Sequence, residues 1–408
     1  MKKWFVALLV VSTNVAAALH REVAITVDDP INTLINTHLG QYGQQEHFSA
    51  IQVSIKIKDK ISSYTAGTRN LSPESSPITA SDLFDIGSIT KSFTAALAVL
   101  AEGEGKLKLQ APLSDYLNSY SHWAELTLTS LLNMSTGIPN YSDAPTINYR
   151  MSQNLQQYWS PSELIDLIYS KEFNPPRKPG YFYSNTGYAL LDLILSDKYK
   201  TPFATLLNDK LLEPLNLKNT FYPLPNYPSH VLQRLVRGYS YNIYDNPGLL
   251  GRDVTDNNLS WAGAAGALVA NSEDVVRWID QLFIANKLLS AEQKEKMQTL
   301  ISLKTGAPID KTSEEEPRAF GLGLVQAYDT TIGRYWFYEG KTLGYRALYI
   351  YVPCNQVIIS ALFNSATNSE NDRAHELLQG LYKHLLEQDK SLICKQNKQE
   401  TQGHKNSA

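Results

Sequence analysis

Cysteine is nearly missing from this chain of 408 residues. The two that occur, Cys354 and Cys394, are too few for a disulfide framework and lack the C-x-x-C spacing of a metal site. They can pair with each other only if the C-terminal helix brings Cys394 to the turn that holds Cys354. The eight histidines stand singly, His38, His47, His122 and His230 among them, with no H-x-x-H or HExxH grouping. That removes the usual metal-binding patterns, and no cofactor is implied. No apolar run reaches the ~20 residues of a membrane-spanning helix, so no stable anchor is expected. Positive charge is not in excess either: 37 Lys and Arg face 40 Asp and Glu, for a formal charge of −3, a balance that does not favour nucleic acid. No internal repeat is visible. What remains is ordinary globular composition, 43% hydrophobic and 19% charged, at a length that suits a large core divided into two lobes.

The first residues read as a leader. Lys2 and Lys3 precede an apolar run from Trp4 to Val11, and the small residues Ala16, Ala17 and Ala18 follow, so residues 1–18 have the three regions of a secretory signal with cleavage expected after Ala18. Eight continuous apolar residues are too short to span a bilayer, and no cysteine follows them to carry a lipid. The mature protein is therefore expected to be periplasmic or extracellular, an oxidising setting in which Cys354 and Cys394 are free to pair.

From Ile31 to Tyr42, apolar residues at Ile31, Leu34, Ile35 and Leu39 have helical spacing, with Pro30 suited to the first turn. Ile51, Val53, Ile55 and Ile57 alternate with Gln52, Ser54, Lys56 and Lys58, the period of a strand, and Asp59 and Lys60 turn the chain into a second strand from Ile61 to Gly67. Residues 106–234 read as a mostly helical lobe, with runs at Leu126 to Met134, Pro161 to Tyr169, Tyr188 to Ser196 and Phe203 to Leu212. Strand patterns return at Phe320 to Gln326, Arg334 to Tyr338, Arg346 to Val352 and Val357 to Phe363, and a helix from Ala374 to Glu387 follows. The expected fold is α+β: an antiparallel sheet flanked by helices, built from about 28–105 and 235–390, with the helical lobe inserted. Residues 391–408 read as a polar, disordered tail.

The chemistry is expected at Phe84 to Glu104, FDIGSITKSFTAALAVLAEGE, a short strand running into a helix. Ser88 and Lys91 are three residues apart, close enough to touch across one turn. The helix beyond them is apolar nearly all round, which buries it and makes a lysine at its mouth costly as an ammonium. A lysine with a lowered pKa can take the proton of a neighbouring hydroxyl, so a serine is activated without histidine. Two further segments offer partners. PGYFYSNTGYALL, from Pro179 to Leu191, sets Tyr183, Ser184 and Asn185 before an apolar helix; a phenol there can relay protons if nearby cations hold its pKa down, and the carboxamide can bind a substrate carbonyl. YWFYEGKTLGY, from Tyr335 to Tyr345, is a strand ending in glycine, along which a substrate can lie against backbone. Tyr116-x-Asn118 is a second Y-x-N, set aside because Leu113, Tyr116, Leu117 and Tyr120 read as a packing face.

These motifs together resemble the serine β-lactamase and penicillin-binding protein superfamily, in the branch of class C β-lactamases, D-alanyl-D-alanine carboxypeptidases and related esterases. The resemblance spans nearly the whole mature chain: LTLTSLLNMSTGIPNY at 126–141, PLNLKNTFY at 214–222, GAAGALVANSEDVVRW at 263–278 and FGLGL at 320–324 follow in the family's order. It implies a β-lactamase/transpeptidase-like fold, with Ser88 as acyl-forming nucleophile, Lys91 as its proton acceptor, Tyr183 as general base and acid, and Asn185 as carbonyl ligand. The oxyanion would sit between the backbone N–H groups of Ser88 and Lys341. Where class C enzymes carry Lys-Thr-Gly and the peptidases His-x-Gly, this chain has Tyr338, Glu339 and Gly340, which argues against β-lactamase activity. Glu339 is expected to face the cleft and turn away donors with a free carboxylate, with Lys341 on the opposite face of the strand. The function so implied is an exported acyl-serine hydrolase of peptidoglycan-type D-amino-acid peptides. A carboxylesterase or lactone hydrolase is the near alternative, and a silent penicillin-binding or assembly protein the alternative of another class.

Overall fold

In the computed structural model, which describes residues 29–172, 180–243 and 246–394, neither face of the strand Ala50–Ile57 meets water along most of its length. Its polar residues are keyed to a helix. Gln52 Oε1 accepts from the Ser272 amide at 2.6 Å, Ser54 and Ser272 share a hydroxyl bond of 2.7 Å, and Lys56 pairs with Asp280 at 3.1 Å, so one face is covered by Ser272–Phe283. On the other face Ile51 lies opposite Phe363, against which His38 of the helix Pro30–Glu46 packs. Period-two alternation here separates two covered faces rather than core from solvent.

Nine strands form the main sheet, in the order Lys60–Gly67, Ala50–Ile57, Val357–Phe363, Arg346–Val352, Gly333–Lys341, Val325–Asp329, Arg318–Phe320, Leu300–Ser302 and Pro308–Ile309. Neighbouring strands run antiparallel. The first and last parts of the chain thus meet in one sheet, which makes the fold α+β as expected. The stretch Phe320 to Gln326 is not one strand. It breaks at residues 321–324, where Gly323 turns through φ +67° and a Cβ would lie 2.7 Å from the Lys91 carbonyl, so the chain bends around the buried helix Thr90–Gly103.

Among the described residues a further three-stranded sheet joins Phe84–Asp85, Val269–Ala270 and Thr220–Phe221. It draws a strand out of the stretch that reads as helical and fixes the base of the segment carrying Ser88. Order also extends past residue 390. Cys354 and Cys394 are bonded, with Cα atoms 5.7 Å apart, and Asn355 donates to the Leu392 carbonyl at 2.8 Å, so residues 391–394 are fastened to the sheet rather than part of a loose tail. Residues 1–18 and 395–408 lie outside the described residues.

One charged cluster is centred on the fully buried Arg346. Arg346 reaches Glu46 at 2.6 Å and Asp372 at 2.7 Å, while Lys341 approaches Asp372 at 3.2 Å. Burial raises Glu46, and Arg346 only partly offsets it, whereas for Asp372 the same burial is outweighed by Arg346 together with Lys341, leaving it below the usual carboxylate range. The two acids of one guanidinium differ because Asp372 has a second cation. Replacing Arg346 with leucine leaves Glu46 buried without its cation and Asp372 with Lys341 alone. It is expected to lower the unfolding free energy by about 3–5 kcal/mol, read from urea denaturation at pH 7; an unchanged midpoint would show that the cluster is not holding the two ends of the chain together.

Candidate active site

Ser88 sits in the 3-10 turn Gly87–Ile89 that leads into the helix Thr90–Gly103. The turn needs Gly87, whose φ is +48° and whose Cβ, if present, would lie 2.6 Å from the Lys341 amide nitrogen. Lys91 stands in the first turn of the helix, 0% exposed, with its amine 3.0 Å from Ser88 Oγ and donating to the Ala265 carbonyl at 2.9 Å. Neither partner carries a charge, so burial pushes the Lys91 pKa well below that of an ordinary lysine. The charged form is disfavoured there, which suits the amine to take a proton from the serine.

The cradle of this lysine is the segment GAAGAL at 263–268. Its carbonyls of Ala264 and Ala265 accept from Thr94 and Lys91, its Leu268 amide donates to Thr90, and its Leu268 carbonyl accepts from the Ile86 amide. Trp278, stacked on Phe93 with ring centroids 3.8 Å apart, also donates to Ser92 at 2.8 Å. The Ala265 carbonyl is a functional group that residue chemistry did not announce; the only trace of it in sequence is that a run of small residues lets backbone approach a helix closely.

Tyr183 Oη lies 2.6 Å from Ser88 Oγ. Although 41% of the residue is exposed, its phenol end is enclosed beside Ser88, and burial raises its pKa to about 12, the Ser88 hydrogen bond opposing. The reading that cations would depress this phenol is reversed: burial outweighs the Ser88 hydrogen bond, and the charge of Asp143 adds to the rise. Asn185 caps the helix Thr186–Tyr199. Its amide nitrogens are held by the chain at 139–142: the backbone N–H donates to Asn140 Oδ1 at 3.0 Å and Nδ2 to Ser142 at 3.1 Å, leaving Oδ1 enclosed and without a partner. Ser184 and Thr186 both donate to the Pro139 carbonyl. Asn140 and Ser142 are thus supports that the sequence reading left without a role. Tyr116 is elsewhere, accepting from the Lys108 amide at 2.8 Å.

Gly333–Lys341 brings the third segment to the same place. A Cβ on Gly340 would lie 1.8 Å from the Ile86 carbonyl oxygen and 3.1 Å from the Ser88 nitrogen, so the Ser88 and Lys341 amides belong to two backbones in direct contact. Tyr338, on the same face as Gly340, is 5% exposed against Phe320, and its hydroxyl has no partner. Glu339 and Lys341, two residues apart, share the other face, which corrects the expectation that they oppose each other. Glu339 pairs with His375 and Lys341 with Asp372, both at the start of the helix Ala374–Gln388. Burial raises Glu339, but the His375 hydrogen bond and the nearby charges of His375 and Lys341 outweigh it. Glu339 therefore does not stand as an isolated charge against a substrate carboxylate.

Among the described residues no cluster of His, Cys, Asp and Glu has the arrangement of a metal site. A cavity of about 610 Å³ lined by Phe283, Lys294, Asp310 and Trp336 contains none of the residues above.

Comparison with known proteins places this geometry. The Beta-lactamase family profile matches residues 35–382. Penicillin-binding protein 4* of Bacillus subtilis (strain 168) is 21% identical over 81% of this chain and 71% of its own length, and a beta-lactamase of Providencia stuartii is 25% identical over 68% and 64%. Among solved structures, the D-amino acid amidase from Ochrobactrum anthropi SV3 complexed with L-phenylalanine superposes with a TM-score of 0.72 at 20% identity, covering 88% of this chain and 98% of that one. At that identity the structural likeness shows the fold.

Gly340→Ala is expected to push the strand away from the Ser88 turn. Since a displacement of about 1 Å can lower a rate by about a hundredfold, acylation by p-nitrophenyl acetate should fall by about that factor while the thermal transition stays cooperative. Wild-type acylation in a folded variant would remove this contact from the site.

Proposed function

The chain belongs to the Beta-lactamase family of serine hydrolases, and we propose that it works through an acyl-enzyme on Ser88. The observation that carries this reading is the fully buried Lys91 amine 3.0 Å from Ser88 Oγ, where burial disfavours its charged form. Ser88 Oγ attacks the substrate carbonyl carbon while its proton passes to Lys91. The oxyanion of the tetrahedral intermediate is held by the Ser88 and Lys341 amides, and the Asn185 carboxamide lies beside it. Tyr183, a neutral phenol bonded to Ser88, carries the proton to the departing group as the carbonyl–leaving-group bond breaks. Water then attacks the acyl ester, its proton returning through the same groups, and releases the carboxylic acid with Ser88 restored.

For the donor we propose a D-amino-acid amide or peptide of peptidoglycan type. Its support is the family together with fold relatives described as a D-amino acid amidase and a D-stereospecific amidohydrolase. Tyr338 favours an ester or lactone as the second reading, because the position offers a neutral hydroxyl and no cation for a substrate carboxylate. β-Lactam hydrolysis is disfavoured on the same ground. Intact mass after incubation with penicillin G and with p-nitrophenyl acetate separates these readings from a silent binder: a transient adduct marks a hydrolase, a permanent one a trap. Absence of any Ser88 adduct, or an adduct that persists in Ser88→Ala, overturns the assignment.

Lys91→Met should lower acylation by about a hundred- to ten-thousandfold, and adding Tyr183→Phe should make little further difference, since the two pass one proton. Multiplicative losses would mean two independent roles. In the wild type, acylation should already be at its plateau by about pH 8, more than two units below the pKa of an exposed lysine, and decline as pH falls and Lys91 is protonated. The same shift bears on stability. Unfolded Lys91 binds a proton that the folded state refuses, so folding is opposed at neutral pH and the opposition fades as pH rises toward 10.5; Lys91→Met should therefore melt higher than wild type at pH 7.

Export is proposed from the leader pattern of residues 1–18, and the Cys354–Cys394 bond suits an oxidising compartment. N-terminal sequencing of the secreted protein should begin at Leu19, and a membrane-bound chain retaining Trp4 would refute it.

A further inference from the structure

Two backbones make the site, and where they touch neither has a side chain: Gly87 and Gly340 press the turn of Ser88 against the end of the strand Gly333–Lys341. Glycines permit such an approach without fixing it. Beside them is a carboxyl that the acyl-transfer chemistry does not use. Asp85, at the end of the strand Phe84–Asp85, is separated from Ser88 by Ile86 and Gly87 alone and is 1% exposed. Its Oδ2 accepts from the hydroxyl of Thr342, the residue after Lys341, at 2.9 Å, and the Tyr227 hydroxyl lies 3.5 Å from Oδ1. Among the described residues no lysine or arginine forms an ion pair with it, and the other titratable group packed against it is Tyr345.

We propose that Asp85 is a positioning residue that fixes the distance between the two oxyanion amides, by tying the Ser88 turn to the Lys341 strand through Thr342. This rests on the acyl-serine reading above. The tie is placed where it acts: one end is three residues from Ser88 and the other is adjacent to Lys341, so a slip between the two backbones must break it. An enclosed acid without a cation is otherwise an expense the fold would shed, because a buried carboxyl lacking a charge partner destabilises. Burial raises Asp85 to about 7, with the Thr342 and Tyr227 hydrogen bonds opposing. Between the unfolded value of 3.8 and about 7 the folded state binds the extra proton, so stability falls as pH rises through that window.

The test uses the full mature protein with p-nitrophenyl acetate as probe. Asp85→Ala is expected to lower the acylation rate constant about a hundredfold with little change in KM, as misplaced oxyanion donors do. Asp85→Asn keeps an acceptor for Thr342 and should recover all but about threefold of the loss, and it should flatten the decline in melting temperature between pH 3.8 and about 7. Thr342→Val, which leaves Asp85 in place, should reproduce the alanine phenotype, and Asp85→Ala combined with Thr342→Val should be no worse than either. Hydrogen exchange supplies a readout that does not need activity: amides of residues 338–343 should exchange faster in Asp85→Ala and Thr342→Val than in wild type. If wild type forms no Ser88 ester the acyl-serine reading fails, and the exchange rates alone decide the tie. Unchanged exchange, a loss confined to KM, or multiplicative losses in the double variant would each overturn the proposal.

Discussion

An amine kept out of water beside a hydroxyl is the condition on which the rest of this molecule depends. Lys91 has two polar contacts, Ser88 Oγ and the Ala265 carbonyl, and no carboxylate to keep it charged. The helix that carries it is covered on all sides, by the 263–268 segment, by the helix Thr186–Tyr199 and by the bend at Gly323. If any one of these walls opened to water the amine would regain its proton, and the base would be lost with no side chain of the site altered. Packing and chemistry are here one arrangement.

The same burial sets the order of proton affinities. Lys91 is moved down and Tyr183 up to about 12, so burial disfavours the charged form of each, and the phenol stays a hydrogen-bond donor and acceptor beside the serine. A site arranged in this way needs no histidine and no metal to generate its nucleophile. What lies beside it is backbone: the amide of Ser88 on a turn and that of Lys341 on a strand, which Gly87 and Gly340 allow to come into contact.

The far face of the strand Gly333–Lys341 explains why that contact can be firm. Glu339 and Lys341 are pinned by His375 and Asp372 at the mouth of the last helix, and Asp372 shares Arg346 with Glu46 of the first helix. Both ends of the chain therefore hold the strand from behind, while Tyr338 and Gly340 look toward the serine. The acid and the base that stand out in the third motif brace the strand, and Tyr338 is buried on its other face.

Much of this could be read from the residues alone. Alternation marked a strand at 51–58, strand patterns marked 61–67, 346–352 and 357–363, helical spacing marked 31–42, a helix was expected at 374–387, and the apolar sweep after Ser88 implied both the burial of the helix and a lysine whose charged form is disfavoured. These are local properties: a period of two or 3.6 residues, or a spacing of three, is complete within one element. The rest depends on residues far apart in sequence. The Ala265 carbonyl beneath Lys91, Asn140 beneath Asn185, the sharing of one strand face by Glu339 and Lys341, the joining of Cys354 to Cys394 and the tie from Asp85 to Thr342 each need two segments to meet at a particular distance. No period or composition encodes such a distance; it exists only after the main sheet has closed and the helical lobe has docked on it.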